Sequence, residues 1–440
     1  MSVRLGRAFS IPLFLGTVLI YFSTGRPPPS GDTLPATYLP FSLLREGNFY
    51  LDQFPWLYDD IARRASPLVD GIPYYLRYRK GHYVSFYPPG AALLALPVYA
   101  VPVWAGVPAT SPWVPMLEKL SAILITACSV LFLFWALRRV VAEGWALAIT
   151  VVYAFGTSSF SVSSQALWTH GPSQFFVALA LYFLVRGLED EHYIPWAGFA
   201  LAASIPVRET NALIALPLGL YILHRYHHIL WKVALFALPP LAFFLAYNRI
   251  VFGSALQTGH MPLTVSGYLT HFTTPMREGL TGLVFGPSRG LFIYSPVLLL
   301  SLAGAYLAWK KGSLLLKYLS LAPLLILLLY SKFTFWYAGW TYGPRFFSDV
   351  APILCFLMYP VCQRMERQRL FVWTFAALAM LSVGLHTLGA YWYDGSWDAR
   401  PNVDLNQDRL WSWRDSPIPY YAKEAYLSIG KAIDRLRGSS

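Results

Sequence analysis

The sequence predicts an all-α polytopic membrane protein with about eleven transmembrane helices, and three observations predict it. Only 13% of the 440 residues are charged and 56% are hydrophobic, whereas soluble domains carry about 25% charged residues. Apolar runs recur from end to end, leaving no separate large soluble domain. Basic clusters are spaced so that one orientation places all of them on the same side. Lys and Arg concentrate in cytoplasmic loops, so the net charge of +12 needs no nucleic-acid partner to explain it.

A spanning helix needs about 20 mostly apolar residues. Candidates begin near Ala8, Leu117, Trp145, Gly171, Ile194, Asn211, Trp231, Gly290, Leu314, Phe346 and Leu370. The first follows the basic lead "SVRLGR", but "YFSTGRPPP" offers no small-residue cleavage site, so it reads as a retained helix. Basic clusters follow every second segment: Arg4 and Arg7, Arg138 and Arg139, Arg186, "HRYHHILWK" ending at Lys232, Lys310 and Lys311, and "RMERQR" from Arg364. That parity puts the N-terminus in the cytoplasm and the C-terminus outside. The segment "PPGAALLALPVYAVPVWAG" from Pro88 would break it by crossing. Pro97 and Pro102 interrupt a simple span, so this stretch reads as a re-entrant or interfacial helix returning to the outer face. The expected organisation is a transmembrane domain over residues 1–388 and a short outer-face tail over 389–440. The first outer loop, about 25–116, is long and contains juxtamembrane helices.

Residues capable of chemistry gather on the outer side. In "SGDTLPATYLPFSLL", Asp32 suits a general base for a hydroxyl acceptor or a ligand for a divalent cation, and it equally suits a helix cap. Asp52 in "NFYLDQFPW" is its competitor, while Asp59 and Asp60 in "YDDIARRA" read as a solvated helix. "RKGHYVSFYPPG" presents Arg79, Lys80 and His82 as cations for a phosphate or as interfacial anchors. "QALWTHGPSQFF" puts Trp168 and His170 at a helix boundary, as a phosphate or proton partner or as part of an aromatic belt. "AASIPVRETNALIALP" sets Arg208 and Glu209 between apolar segments, where charge is costly and usually functional, a mutual ion pair being the alternative. "KFTFWYAGWTYGPRFFSDVAPIL" combines glycines for close approach, Trp faces for sugars and Arg345 for a phosphate. An Arg345–Asp349 pair on a helix is its plainer reading.

Cys128, Cys355 and Cys362 show neither metal-ligand spacing nor a disulfide framework. The chain has no Walker loop, dinucleotide fingerprint or nucleophile elbow.

Four of these features resemble the polytopic GT-C glycosyltransferases, the group of protein O-mannosyltransferases and lipid A aminoarabinose transferases. They are Asp32 in the first outer loop, "YPPG" leading a juxtamembrane helix, "LWTHGP" at a helix start, and "WYAGWTYGPRFF" before an apolar helix. The tail "VDLNQDRLWSWRD" is similar to the endings of bacterial members. The resemblance implies an inverting transfer of a sugar from a polyprenyl-phosphate donor to a hydroxyl of a glycan, lipid or protein. It places the reaction at the periplasmic face of a bacterial inner membrane, with Mg or Mn as a possible cofactor. It makes Asp32 the base, with Asp52 as the alternative. Arg208 and Arg345 become donor-phosphate residues; the residue patterns add Lys80 and His170 to them, with Trp168, Trp336, Trp340, Tyr342, Tyr87 and His260 as candidates for the sugar or acceptor cavity. The chain departs from the protein mannosyltransferases in following Asp32 with Thr33 instead of Glu, and in having no large soluble C-terminal domain. A transporter or flippase of a lipid-linked sugar is the rival reading. Transporters show internal repeats, none of which is evident here, and a structural membrane subunit leaves Arg208 and the Gly-Trp-Arg stretch unexplained.

Overall fold

The computed structural model describes residues 2–25, 30–261 and 271–438. Arg26 and the prolines that end the first apolar run lie outside the described residues. The chain is predominantly helical. Helix α1 (Ser2–Phe22) leads into α2 (Leu34–Glu46), α3 (Asp60–Ala65) and α4 (Gly90–Trp104). Then follow α5 (Val114–Leu137), α6 (Glu143–Phe155), α7 (His170–Arg186), α8 (Ile194–Ser204), α9 (Ala212–Arg225) and α10 (Leu230–Val251). The second half contains α11 (Met276–Phe285), α12 (Leu291–Tyr294), α13 (Leu299–Lys311), α14 (Leu314–Lys332), α15 (Ala351–Phe356) and α16 (Tyr359–Met365). It ends with α17 (Arg369–Trp392), α18 (Ser396–Ala399) and α19 (Pro417–Gly438).

Each predicted apolar segment falls on helix, but among the described residues only four helices are long and apolar enough to cross a membrane. They are α5, residues 227–251, α14 and α17, with lengths of 24, 25, 19 and 24 residues. The others are shorter or broken. The segment from Phe346 splits into a 3-10 turn, α15 and α16, and prolines at Pro352 and Pro360 sit at the two helix starts. The count of about eleven long spans is therefore not reproduced.

Residues 30–116 fold as a body with its own apolar core. Leu39 and Phe41 of α2 pack with Tyr99 and Val103 of α4, and this core extends onto Ile125 of α5 and Leu167. Helix α4 has 15 residues, short of the ~20 that span a bilayer. Its first residue ties it to the main bundle, for Gly90 N–H donates to Pro206 O at 2.9 Å. Two hairpins, which an all-α expectation omits, also lie here: β1 (Leu68–Val69) with β2 (Ile72–Pro73), and β3 (Leu76–Arg79) with β4 (His82–Ser85). Their two-residue turns, Asp70-Gly71 and Lys80-Gly81, have positive φ at both positions, as a type I′ turn requires. Asp59 caps α3 by accepting from Ala62 N at 2.9 Å, as a solvated helix start should.

Helix α17 runs past residue 389 to Trp392, and Trp397, Val403, Leu410 and Tyr421 belong to the main core.

Close helix packing gives a direct check. A Cβ on Gly304 of α13 would sit 1.6 Å from Leu357 O, whereas one on Gly219 of α9 would meet nothing within 4 Å. Gly304→Ala is therefore expected to lower the thermal midpoint of the detergent-solubilised protein, at a cost of ~1–3 kcal/mol. Gly219→Ala should leave the midpoint unchanged or raise it.

Candidate active site

Asp32 lies in the turn between α1 and α2. The α2 cap position is Thr33, which makes no side-chain cap bond, so Asp32 is not spent on capping. Its Oδ1 accepts from Tyr74 OH and Tyr87 OH, each at 2.7 Å, and its Oδ2 accepts from Arg345 Nη1 at 2.9 Å. Gly31 makes this possible, since a Cβ there would lie 2.7 Å from the Tyr74 hydroxyl and 2.8 Å from the Tyr75 ring. Burial raises the Asp32 pKa, but the Arg345 charge and the two tyrosine hydroxyls outweigh it and hold the carboxyl below its ordinary value. Burial and the Asp32 charge push the Tyr74 and Tyr87 hydroxyls upward, keeping them neutral donors.

Arg345 is fixed from three sides. Besides Asp32, its Nη2 donates to Ala338 O at 2.6 Å, and the guanidinium stands 4.7 Å from the Trp168 ring centroid. Its buried Nε has no hydrogen-bond partner among the described residues.

The next residues in "LWTHGP" continue the site. Thr169 Oγ1 accepts from Arg208 Nη1 at 3.0 Å, and His170 Nδ1 lies 3.1 Å from Asp349 Oδ1. Asp349 Oδ2 is 3.0 Å from Arg208 Nε, a charge contact without aligned hydrogen-bond geometry. Arg208 Nη2 donates to Tyr330 OH at 2.6 Å. The ring closes through Glu209, whose Oε1 is 3.0 Å from His260 Nδ1, and the His260 ring lies 5.6 Å from that of Tyr87.

Two plainer sequence readings are thereby corrected. Arg208 and Glu209 do not pair with each other: the Arg208 backbone is extended and the two side chains find Asp349 and His260. Arg345 and Asp349 are not helix neighbours: residues 345–347 form a 3-10 turn and α15 starts only at Ala351.

The exposures separate two layers. Asp349 and His170 are 0% and 3% exposed, while Arg345, Arg208 and Asp32 are 11%, 15% and 19% exposed. His170 is therefore a buried support and not a reachable phosphate ligand. Other expected residues stand apart. Asp52 accepts from Tyr83 N and pairs with His82, each at 2.9 Å, which staples the β4 hairpin. The Lys80 ammonium donates to the carbonyls of Arg249 and Ile250 at the end of α10. Trp336 is buried against Gly282 and Trp411. Trp340 donates to Asp404, and Tyr342 is buried with its hydroxyl on Leu385 O. Sequence reasoning missed Tyr74, Tyr330 and the role of Asp349. It also missed Glu118, which accepts from Leu167 N at 3.2 Å.

No protein-family model matches the sequence, and no curated protein matches it. Solved structures do. ArnT from Cupriavidus metallidurans bound to undecaprenyl phosphate superposes with a TM-score of 0.54 at 12% identity, covering 85% of this chain and 62% of that one. Its apo state gives 0.55 at 12% identity, covering 96% and 74%. The Archaeoglobus fulgidus oligosaccharyltransferase tethered with an acceptor peptide gives 0.52 at 10% identity, covering 91% and 58%. The chain has a GT-C fold. It spans less than two thirds of the ArnT chain solved with the lipid. In this GT-C chain, no group of three His, Cys, Asp or Glu suited to a metal ion occurs among the described residues. The Asp32 carboxylate faces two phenols and a guanidinium in place of further oxygen anions, a donor set that does not fit Mg or Mn.

Asp32, with its lowered pKa, contributes stability above the ordinary carboxylate range, and that stability is lost as pH falls through the folded value. Arg345→Gln removes the principal favourable charge, so Asp32 should take up its proton at higher pH. Carbodiimide labelling of Asp32 across pH, read by peptide mass spectrometry against the exposed Asp60, measures the change.

Proposed function

We propose that the chain is an inverting glycosyltransferase that moves a sugar from a polyprenyl-phosphate donor to a hydroxyl acceptor at the outer face of a bacterial inner membrane. The observation that carries this reading is the direct pairing of Asp32 with Arg345, a base beside a phosphate cation, on a GT-C fold. Arg208 supplies a second partly open cation, and Trp168, Tyr87 and His260 border the same ring of residues.

The chemistry follows from competition for Arg345. A lipid phosphate reaching the site offers an anion that shares the guanidinium. Asp32 then loses part of the charge that holds its pKa down and becomes the better base. It takes the proton of the acceptor hydroxyl. The acceptor oxygen attacks the anomeric carbon from the face opposite the phosphate, forming one C–O bond while the sugar–phosphate C–O bond breaks. The electron pair leaves with the polyprenyl phosphate, whose charge Arg345 and Arg208 stabilise. Asp349 and His170 support Arg208 from below. The acceptor is a glycan, lipid or protein, and no step passes through a metal.

Transfer from a polyprenyl-phosphate sugar by the purified protein tests the reading. Asp32→Asn should fall by ~10²–10⁴-fold, while Asp52→Asn retains most of the turnover. Arg345→Lys should also be impaired, because an ammonium cannot reproduce the planar fork. A dead Asp52→Asn beside a near-normal Asp32→Asn transfers the base to Asp52. Topology has its own check: cysteines placed at Gly106 and Ser111 should label from the outer side, and labelling only from the cytoplasm contradicts the orientation.

A further inference from the structure

Arg289 and Asp398 form a buried ion pair that the reaction does not use. Their side chains are 1% and 0% exposed, and Arg289 Nη2 lies 2.7 Å from Asp398 Oδ1. Tyr393 OH donates to the other carboxylate oxygen at 2.9 Å. Buried pairs of this kind often contribute no net stability over apolar residues of the same volume, so stability alone leaves the pair unexplained. The remaining contacts of Arg289 point to a use. Its Nε donates to Tyr337 O at 2.8 Å, Nη2 to Gly339 O at 3.0 Å, and Nη1 to Ser288 O at 3.0 Å.

Between the two clamped carbonyls of residues 337 and 339 lies that of Ala338, and Arg345 donates to it at 2.6 Å. Three consecutive carbonyls are thus held by two arginines. The backbone that aims them is unusual. Ala338 and Gly339 both have φ of +63°, and for a residue with a Cβ the left-handed region is a strained choice that the surroundings must enforce. Tyr337 and Trp340 tie the same loop to Asp404 of the tail at 2.9 and 3.1 Å.

We infer that Arg289 and Asp398 are positioning residues: by holding the 337–339 loop in its left-handed form they aim the Ala338 carbonyl at Arg345 and so set the Arg345 guanidinium against Asp32. The C-terminal tail, which supplies Asp398, is then part of the site machinery. This rests on the proposed role of the Asp32–Arg345 pair in transfer. Among the described residues, the charged and titratable groups facing Asp32 are Arg345, Tyr74 and Tyr87. Arg289 reaches Asp32 only through the loop and Arg345, so it acts on Asp32 by placement and not by its own contact.

The test uses the full chain in lipid nanodiscs, with two readouts: the pH midpoint of Asp32 carbodiimide labelling, normalised to Asp60, and the kcat and KM of sugar transfer. Arg289→Lys keeps a cation beside Asp398 but cannot fork onto two carbonyls. Arg289→Met/Asp398→Leu replaces the buried pair with apolar residues of similar volume and leaves no orphan charge. Both are expected to move the Asp32 midpoint upward, toward that of Arg345→Gln, and to lower kcat more than they raise KM. Folding is checked by elution as a single species. A folded variant whose Asp32 midpoint stays at the wild-type value, while Arg345→Gln moves it, overturns the inference. Shifted midpoints in the variants, beside a wild type that transfers no sugar, leave the positioning intact and remove the proposed function instead.

Discussion

The contact between Asp32 and Arg345 is the constraint around which the rest of the structure is arranged. The two residues are 313 positions apart, one just after the first helix and the other just before α15. Placing a carboxylate where it is only 19% exposed is costly unless every lone pair is answered. The fold answers three of them, with Tyr74 from between the hairpins, Tyr87 from the lead into α4, and a single Arg345 nitrogen, Nη1. The donors come from three separate stretches of the chain. The segment of residues 30–114 and the loop before α15 are therefore bound to each other through a single side chain as well as through apolar packing.

Around this pair the site is layered by accessibility. Asp349 is fully buried and accepts contacts from His170 and Arg208 at once, so it fixes the start of α7 relative to the turn between α8 and α9. Gly90 at the head of α4 binds the same turn through Pro206. Above this floor, Asp32, Arg345 and Arg208 keep part of their surface open. Balanced opposite charges make such a site stable when empty, and they also mean that an arriving anion must compete for a guanidinium already in use. Under the proposed function, that competition links donor arrival to the basicity of Asp32, which a solitary carboxylate in water could not achieve.

Much of the fold class was legible in the sequence because it follows from composition, and the apolar segments fall on helix as their lengths suggest. The number of long spans was not, because breaks such as those before α15 and α16 depend on local turns inside an otherwise apolar run. The hairpins were signalled by Asp70-Gly71 and Lys80-Gly81, short turn dipeptides that a coarse helical reading passes over. For the site, Arg208 stood out because charge between apolar segments is expensive, Arg345 because of the Gly- and Trp-rich stretch around it, and Asp32 through the family resemblance. Their partners did not. Asp349 sits four residues after Arg345, a spacing that suggests a helix pair, yet the intervening 3-10 turn directs it to Arg208. Tyr74 and Tyr330 are two of 29 tyrosines and carry no local signal, so their hydroxyls become meaningful only once the tertiary fold brings them to a charge.

The central claim of the proposed function is that a lipid phosphate is bound by the cations of this ring and shares Arg345 with Asp32. A cryo-electron microscopy structure of the full chain with polyprenyl phosphate tests it most directly. The account predicts phosphate oxygens within hydrogen-bond distance of Arg345 or Arg208, with the Asp32–Arg345 contact lengthened beyond its 2.9 Å in the empty site. A phosphate seated elsewhere on the protein, with that contact unchanged, would contradict it.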